Sequence, residues 1–187
     1  MKATTLMITF FIVNIVAVGA TISLFVPSAP EGLALREVSI QRPANDSPAL
    51  VKGKPTQLSI ESIDLDIDVI DGRYDTVTKE WDLSTDKAHY ALMTPEANNQ
   101  VGNTFIYGHN RNEVFSTLDQ TKVGDTALVE TENGKIFEYR LRNIKEVAPT
   151  DVSLFEYTGD PILTIQTCSG SWYEKRKLFT FEFVEVN

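Results

Sequence analysis

From Thr56 onward, apolar and polar positions alternate with period two. Leu58 and Ile60 are separated by a polar residue, and Leu65, Ile67 and Val69 alternate with Asp64, Asp66 and Asp68. Such alternation predicts strands with one buried face. Asn103 to Tyr107 is a short apolar run ending at Gly108, and Asp125 to Glu130 follows a glycine and precedes an Asn133-Gly134 turn. Lys135 to Val147 alternates for a long stretch with Phe137, Tyr139 and Leu141 in register. Ile162 to Thr167 reads as a buried strand, and Lys177 to Val186 alternates through Phe179, Phe181 and Phe183. Many short strands with turn signals between them predict an all-β fold, a barrel or a sandwich. Glu113 to Gln120 is expected to form one short helix with Val114, Phe115 and Leu118 turned inward.

The pattern before Thr56 is different. Ala3 to Pro30 carries no charge, and Leu6 to Val26 is mostly Ile, Val, Phe, Leu and Ala. A helix of about 22 residues spans about 33 Å, enough for a hydrocarbon core of about 30 Å. Lys2 and the free amine precede it, which places the N-terminus in the cytoplasm and the remainder outside the cell. Residues 1–4 are thus expected to be cytoplasmic and residues 5–27 to form a transmembrane anchor. A cleaved signal peptide, with Val18-Gly19-Ala20 at the cut, is the rival. The apolar run continues past Ala20 to Val26, which favours the retained anchor. Residues 28–54 gather Pro27's successors Pro30, Pro43 and Pro48 among Ser, Ala, Asn and Glu, and read as a linker. Residues 55–187 are the expected folded domain.

Charge narrows the partners. The chain has 187 residues and a net charge of −9, and its first acidic residue is Glu31. A domain that acidic lacks the basic face that nucleic acid requires. Asp64-x-Asp66-x-Asp68 resembles the start of a calcium loop. Val69 stands where such a loop needs Gly, and Asp75 where it needs Glu, so the aspartates read as the polar face of a strand. No metal and no cofactor is expected.

Candidate chemistry centres on Cys168, the single cysteine. An exported domain stapled by disulfides needs two, so Cys168 is either a buried inert thiol or a reactive one. A thiol, with a free pKa of about 8.5, needs an imidazole or cationic neighbours to become a thiolate near neutral pH. Cys168 ends a predicted strand, Ser169-Gly170-Ser171 follows as a loop, and Arg176 stands near the start of the next strand. If the two strands pair, Arg176 comes beside Cys168, where its planar donors could hold a developing oxyanion. A solvated basic turn is the plainer account of the same residues. The chain has two histidines. His109 terminates the Phe105-Ile106-Tyr107-Gly108 run, well placed to project into a cleft, and Gly108 permits close approach beside it. His89, in Lys87-Ala88-His89-Tyr90, reads as a loop or strand edge and ranks second as a base. Nothing in the spacing brings either histidine to Cys168.

Three motifs in order resemble the sortase family. Gly102-Asn103-Thr104-Phe105-Ile106-Tyr107-Gly108-His109 resembles its strand ending in the catalytic His. Leu163-Thr164-Ile165-Gln166-Thr167-Cys168 resembles its TLxTC nucleophile motif, with Thr-Ile for Thr-Leu, and Lys175-Arg176-Lys177-Leu178-Phe179 resembles the strand opening that carries the catalytic Arg. The resemblance spans roughly Thr56 to Val186. It implies a closed eight-stranded β-barrel with short helices. It also implies acyl transfer by Cys168, with His109 as acid and base and Arg176 on the oxyanion. The donor would be a surface protein bearing an LPxTG-like sorting signal, and the acceptor an amine on a peptidoglycan precursor or a pilin lysine. Thr167 is expected to position substrate. Val152 and Leu154, in the segment from Ala148 to Pro161, would line an apolar pocket for the signal's Leu and Pro, or else belong to the core. An L,D-transpeptidase would keep an Arg almost directly after the Cys, where this chain has Ser169 and Gly170. A noncatalytic β-barrel binding module would explain the fold and anchor but not a lone Cys beside Arg176.

Overall fold

A computed structural model describes residues 48–187. The expected transmembrane anchor and most of the linker lie outside the described residues. Among the described residues, no helix is long and apolar enough to cross a membrane.

Eight strands close into a barrel. We number them β1 (Pro55–Ile60), β2 (Leu65–Gly72), β3 (Ala88–Ala91), β4 (Asn103–Tyr107), β5 (Thr126–Thr131), β6 (Ile136–Val147), β7 (Ile162–Ser169) and β8 (Lys175–Val186). Around the barrel the order is β6-β8-β7-β4-β3-β2-β1-β5, and β5 pairs with β6 to close it. The β2–β3 and β4–β7 pairs are parallel and the rest antiparallel. The all-β expectation thus resolves to a barrel rather than a sandwich.

The alternation read from the sequence maps onto inward and outward faces. Leu58, Ile60, Val129, Phe137, Tyr139, Leu141, Leu163, Ile165, Phe179 and Phe181 are all fully buried and fill the interior. Asp66 and Asp68 face outward, where Asp66 accepts from the Gln57 amide (2.6 Å) and Asp68 pairs with Lys87 (2.6 Å). The strand-face reading holds for Asp66 and Asp68, whereas Asp64 ends the 3-10 turn Glu61–Ile63 in the left-handed conformation (φ 52°) just before β2.

Two local expectations change. The helix expected over Glu113 to Gln120 is a 3-10 segment, Ser116–Gln120, entered through turns, although Val114, Phe115 and Leu118 are buried as expected. His89 lies within β3, a barrel strand buried along its whole length, rather than in a loop. Ala88-His89-Tyr90-Ala91 does not alternate in hydropathy because both of its faces are covered. Residues 48–53 are laid against the domain: Asn99 and Gln100 donate to the Ala49 and Pro48 carbonyls (both 3.0 Å), and Lys52–Gly53 pairs with Ala97–Asn98.

All five residues of β4 are buried, which needs a second apolar layer outside the barrel. Phe105 and Tyr107 pack there with Ala91 and Leu178, under Trp81, Val147, Leu154 and Phe155. Trp81 comes from a small hairpin, Tyr74–Asp75 paired with Glu80–Trp81. Leu154 and Phe155 come from the connection between β6 and β7. This outer layer decides where a groove can open.

Candidate active site at the ends of β4, β7 and β8

Cys168 is the penultimate residue of β7 and Arg176 the second of β8, and the antiparallel register sets them directly opposite each other. The hairpin geometry inferred from the sequence is therefore present. Cross-strand partners lie about 4.5–5.5 Å apart at Cβ, within reach of a long side chain. Arg176 is half-buried, and its guanidinium donates to the Tyr173 and Lys175 carbonyls (3.1 and 3.0 Å). The turn between them is tight. Tyr173 has φ 59°, its N–H donates to the Gly170 carbonyl (3.2 Å), and the Glu174 carboxylate accepts the Trp172 N–H (2.9 Å). Arg176 is thus held by the loop that separates it from Cys168.

The parallel pairing of β4 with β7 supplies what spacing could not. Tyr107 is in register with Gln166, so the chain beyond Tyr107 runs alongside the chain beyond Gln166. The Gly108 N–H donates to the Gln166 carbonyl (3.1 Å), and the Thr167 hydroxyl donates to the Gly108 carbonyl (3.0 Å). On the other side, the Asn110 amide donates to the Cys168 carbonyl (3.0 Å). His109 therefore sits between two residues that are each bonded to β7, at the level of Cys168. Its own carbonyl accepts the Arg111 and Phe115 N–H groups (3.1 and 3.2 Å). Gly108 is required by close approach: a Cβ there would stand 2.7 Å from Val114 Cγ1 and 3.0 Å from the Phe115 ring. Both Cys168 and His109 remain partly exposed.

His89 is held quite differently. It pairs with Tyr107 across β3–β4, is 3% exposed, and stacks on the Tyr107 ring at 5.4 Å. Nδ1 lies 3.3 Å from the Asp71 carbonyl and Nε2 2.9 Å from the Ser84 hydroxyl. A carbonyl only accepts, so Nδ1 carries the proton and Ser84 donates to Nε2. Burial pushes the imidazole below its ordinary pKa, and the neutral ring is the stable one.

A groove of about 700 Å³ leads to Arg176. Tyr74, Trp81, Val152, Phe155 and Gln166 are among its walls. Val152 is 56% exposed there. Leu154 is half-buried and packs into the outer apolar layer instead. Thr167 is buried, with its hydroxyl committed to the Gly108 carbonyl, a contact that fixes the His109 segment. The sequence pointed to Gly108 beside His109 but not to Asn110 or Trp81. Gly108 and Asn110 flank His109, but only the β4–β7 pairing reveals what they bond to.

A family model for the sortase domain matches residues 58–182. The chain belongs to the sortase family. Sortases are generally cysteine transpeptidases. Solved structures agree on the fold. Sortase C-3 from Streptococcus pneumoniae is similar with a TM-score of 0.58 and 25% identity, over 73% of this chain and 65% of that one. The SrtA sortase from Actinomyces oris has a TM-score of 0.60 at 18% identity, over 76% of this chain and 89% of that one. Sortase E1 from Streptomyces coelicolor, solved with a tripeptide in the active site, has a TM-score of 0.56 at 21% identity, over 73% and 90%. This chain spans 65% and 66% of the pneumococcal sortase C-3 and of a Streptococcus agalactiae sortase C1. A search of curated proteins finds no sequence match.

Proposed function

We propose that this sortase is a cysteine transpeptidase with Cys168 as nucleophile, His109 as acid and base, and Arg176 as the oxyanion ligand. The observation that carries the reading is the convergence of three strand ends: Cys168 opposite Arg176, and His109 between two residues bonded to β7. The Cys168 thiolate attacks the carbonyl carbon of the Thr in an LPxTG-like signal. A C–S bond forms, and the negative charge on oxygen falls to the Arg176 guanidinium. The C–N bond breaks as the His109 imidazolium protonates the leaving amine. In the second half, neutral His109 takes a proton from the incoming amine, which attacks the thioester and expels the thiolate. Atoms and charge balance without a cofactor.

The donor is a surface protein carrying the signal. The acceptor is an amine of a peptidoglycan precursor or of a pilin lysine. Residues 5–27 would hold the enzyme in the membrane with residues 55–187 outside the cell. Val152 in the groove wall would meet the apolar part of the signal, and Thr167 would act through His109 rather than on the peptide. Leu154 would support the wall from behind.

The test is cleavage and transfer of sorting-signal peptides with varied amine acceptors. Cys168→Ala is expected to abolish both while leaving the circular dichroism unchanged. Wild-type turnover in that variant would overturn the assignment and favour a noncatalytic module.

A further inference from the structure

Because β2 and β3 run parallel, the chain has to cross back between them, and the stretch Arg73 to Asp82 on that crossover has a structure of its own. It is a built hairpin. The Asp82 N–H donates to the Arg73 carbonyl (3.0 Å) and the Arg73 N–H to the Asp82 carboxylate (3.0 Å), which locks its base. At its tip the Asp75 carboxylate accepts the Val77 and Thr78 N–H groups (2.7 and 3.2 Å). The Lys79 N–H donates to the Asp75 carbonyl (2.9 Å), and Lys79 itself adopts φ 64°.

The hairpin is also tied to the catalytic strands. Trp81 stacks on Phe155 (centroids 5.6 Å, interplanar angle 18°) and meets the Tyr107 ring edge-on at 4.8 Å. Tyr74 continues the series, 5.2 Å from Trp81. Ser84, just beyond the hairpin, is bonded to His89. Tyr107 lies two residues before His109, so the hairpin rests on the strand that delivers the base.

Lys79 lines the same groove as Arg176. Among the described residues, no carboxylate forms an ion pair with it. Two carboxylates share that groove: Asp151, engaged by Lys145 (4.0 Å) and the Ser153 N–H (3.0 Å), and Glu156, with which Lys79 forms no ion pair. In a chain with net charge −9, an acidic peptide side chain finds few favourable places.

We infer that this hairpin is a specificity element of the groove: Tyr74 and Trp81 take an apolar side chain of the bound peptide, and Lys79 takes a carboxylate side chain. The carboxylate belongs to a residue other than the one whose carbonyl Cys168 attacks, so the substrates are signal peptides with an acidic residue in or beside the signal. The inference rests on the peptide-transferring reading of the site.

The test uses the full-length Cys168→Ala chain and fluorescent peptides of the pattern Leu-Pro-X-Thr-Gly. Glu, Gln or Lys is placed at X or at either of the two residues before Leu, and binding is read by anisotropy. At one position Glu is expected to bind about fivefold tighter than Lys. Adding Lys79→Glu, on an exposed turn, inverts that preference. Adding Trp81→Leu weakens all the peptides, and its melting curve shows whether the fold survives. Equal affinities for Glu, Gln and Lys at every position, or no binding, would overturn the inference. Wild-type chain that fails to cleave a peptide its Cys168→Ala form binds would instead overturn the catalytic reading, and the hairpin would stand or fall on affinities alone.

Discussion

Strands β3 and β4 lie side by side, and the histidine within β3 and the one just beyond β4 are held in opposite ways. His89 sits inside a strand, sealed against Tyr107, neutral, with both ring nitrogens near fixed partners. His109 sits beyond a strand end, half-exposed, held through the backbone of its neighbours. A side chain fixed on every side has nothing left to exchange with a substrate. A side chain whose backbone is fixed but whose ring is free can pick up and release a proton. On the proposed reading of His109, position relative to the strand end, rather than residue type, separates structural from catalytic use.

The sharpest way to break this contrast is to remove each ring in turn. His109→Ala is expected to lower kcat/KM by about a hundred- to ten-thousand-fold with little change in Tm. His89→Ala should instead cost about 2–3 kcal/mol of stability in chemical denaturation, through lost packing and an orphaned Ser84 contact. If His89→Ala were the inactive, stable variant, the assignment would be reversed. Next comes the glycine. Gly108→Ala forces a Cβ against Val114 and Phe115. It is expected to cost about 1–3 kcal/mol and to lower kcat, with partial recovery of both in Gly108→Ala/Val114→Ala. Failure of that second change to restore anything would mean that crowding is not why position 108 is glycine. Thr167→Val leaves the Gly108 carbonyl without its donor. A loss of about 1 kcal/mol is expected, and kcat should fall more than KM rises if Thr167 acts through His109.

The smallest effect is in pH. His89 has its pKa lowered in the fold from an ordinary 6.5. Between the two values the unfolded chain binds more protons than the native one, so stability declines as the pH falls below about 6.5 and stops declining below the folded value. Melting curves of wild type and His89→Gln across acidic pH should diverge in that window. Parallel curves would show that His89 is not held neutral.

How much of this could be read from the sequence depended on sequence separation and on coverage. Seven of the barrel strands show as alternating or buried runs because each buries at least one face in the interior. β3 was missed because four residues with both faces covered leave no period to detect. The small hairpin was missed because its turn uses an Asp75 side chain and a left-handed Lys79, where Gly or Asn would have signalled it. The Cys168–Arg176 pairing was foreseeable, since a short turn joins their strands. His109 reaches the same place only through a parallel pairing across a long excursion, and residue spacing cannot encode that. For His109, the motif resemblance did what the pattern could not.

The closing pair β5–β6 has one more consequence. An open sheet ends in strands with unpaired N–H and C=O groups, which invite strand addition by a neighbouring chain. Here β6 has β5 on one side over Ile136 to Arg140 and β8 on the other, so that stretch of the ring leaves no such template. Along that stretch an extended peptide meets side chains and loops rather than a place for a ninth strand.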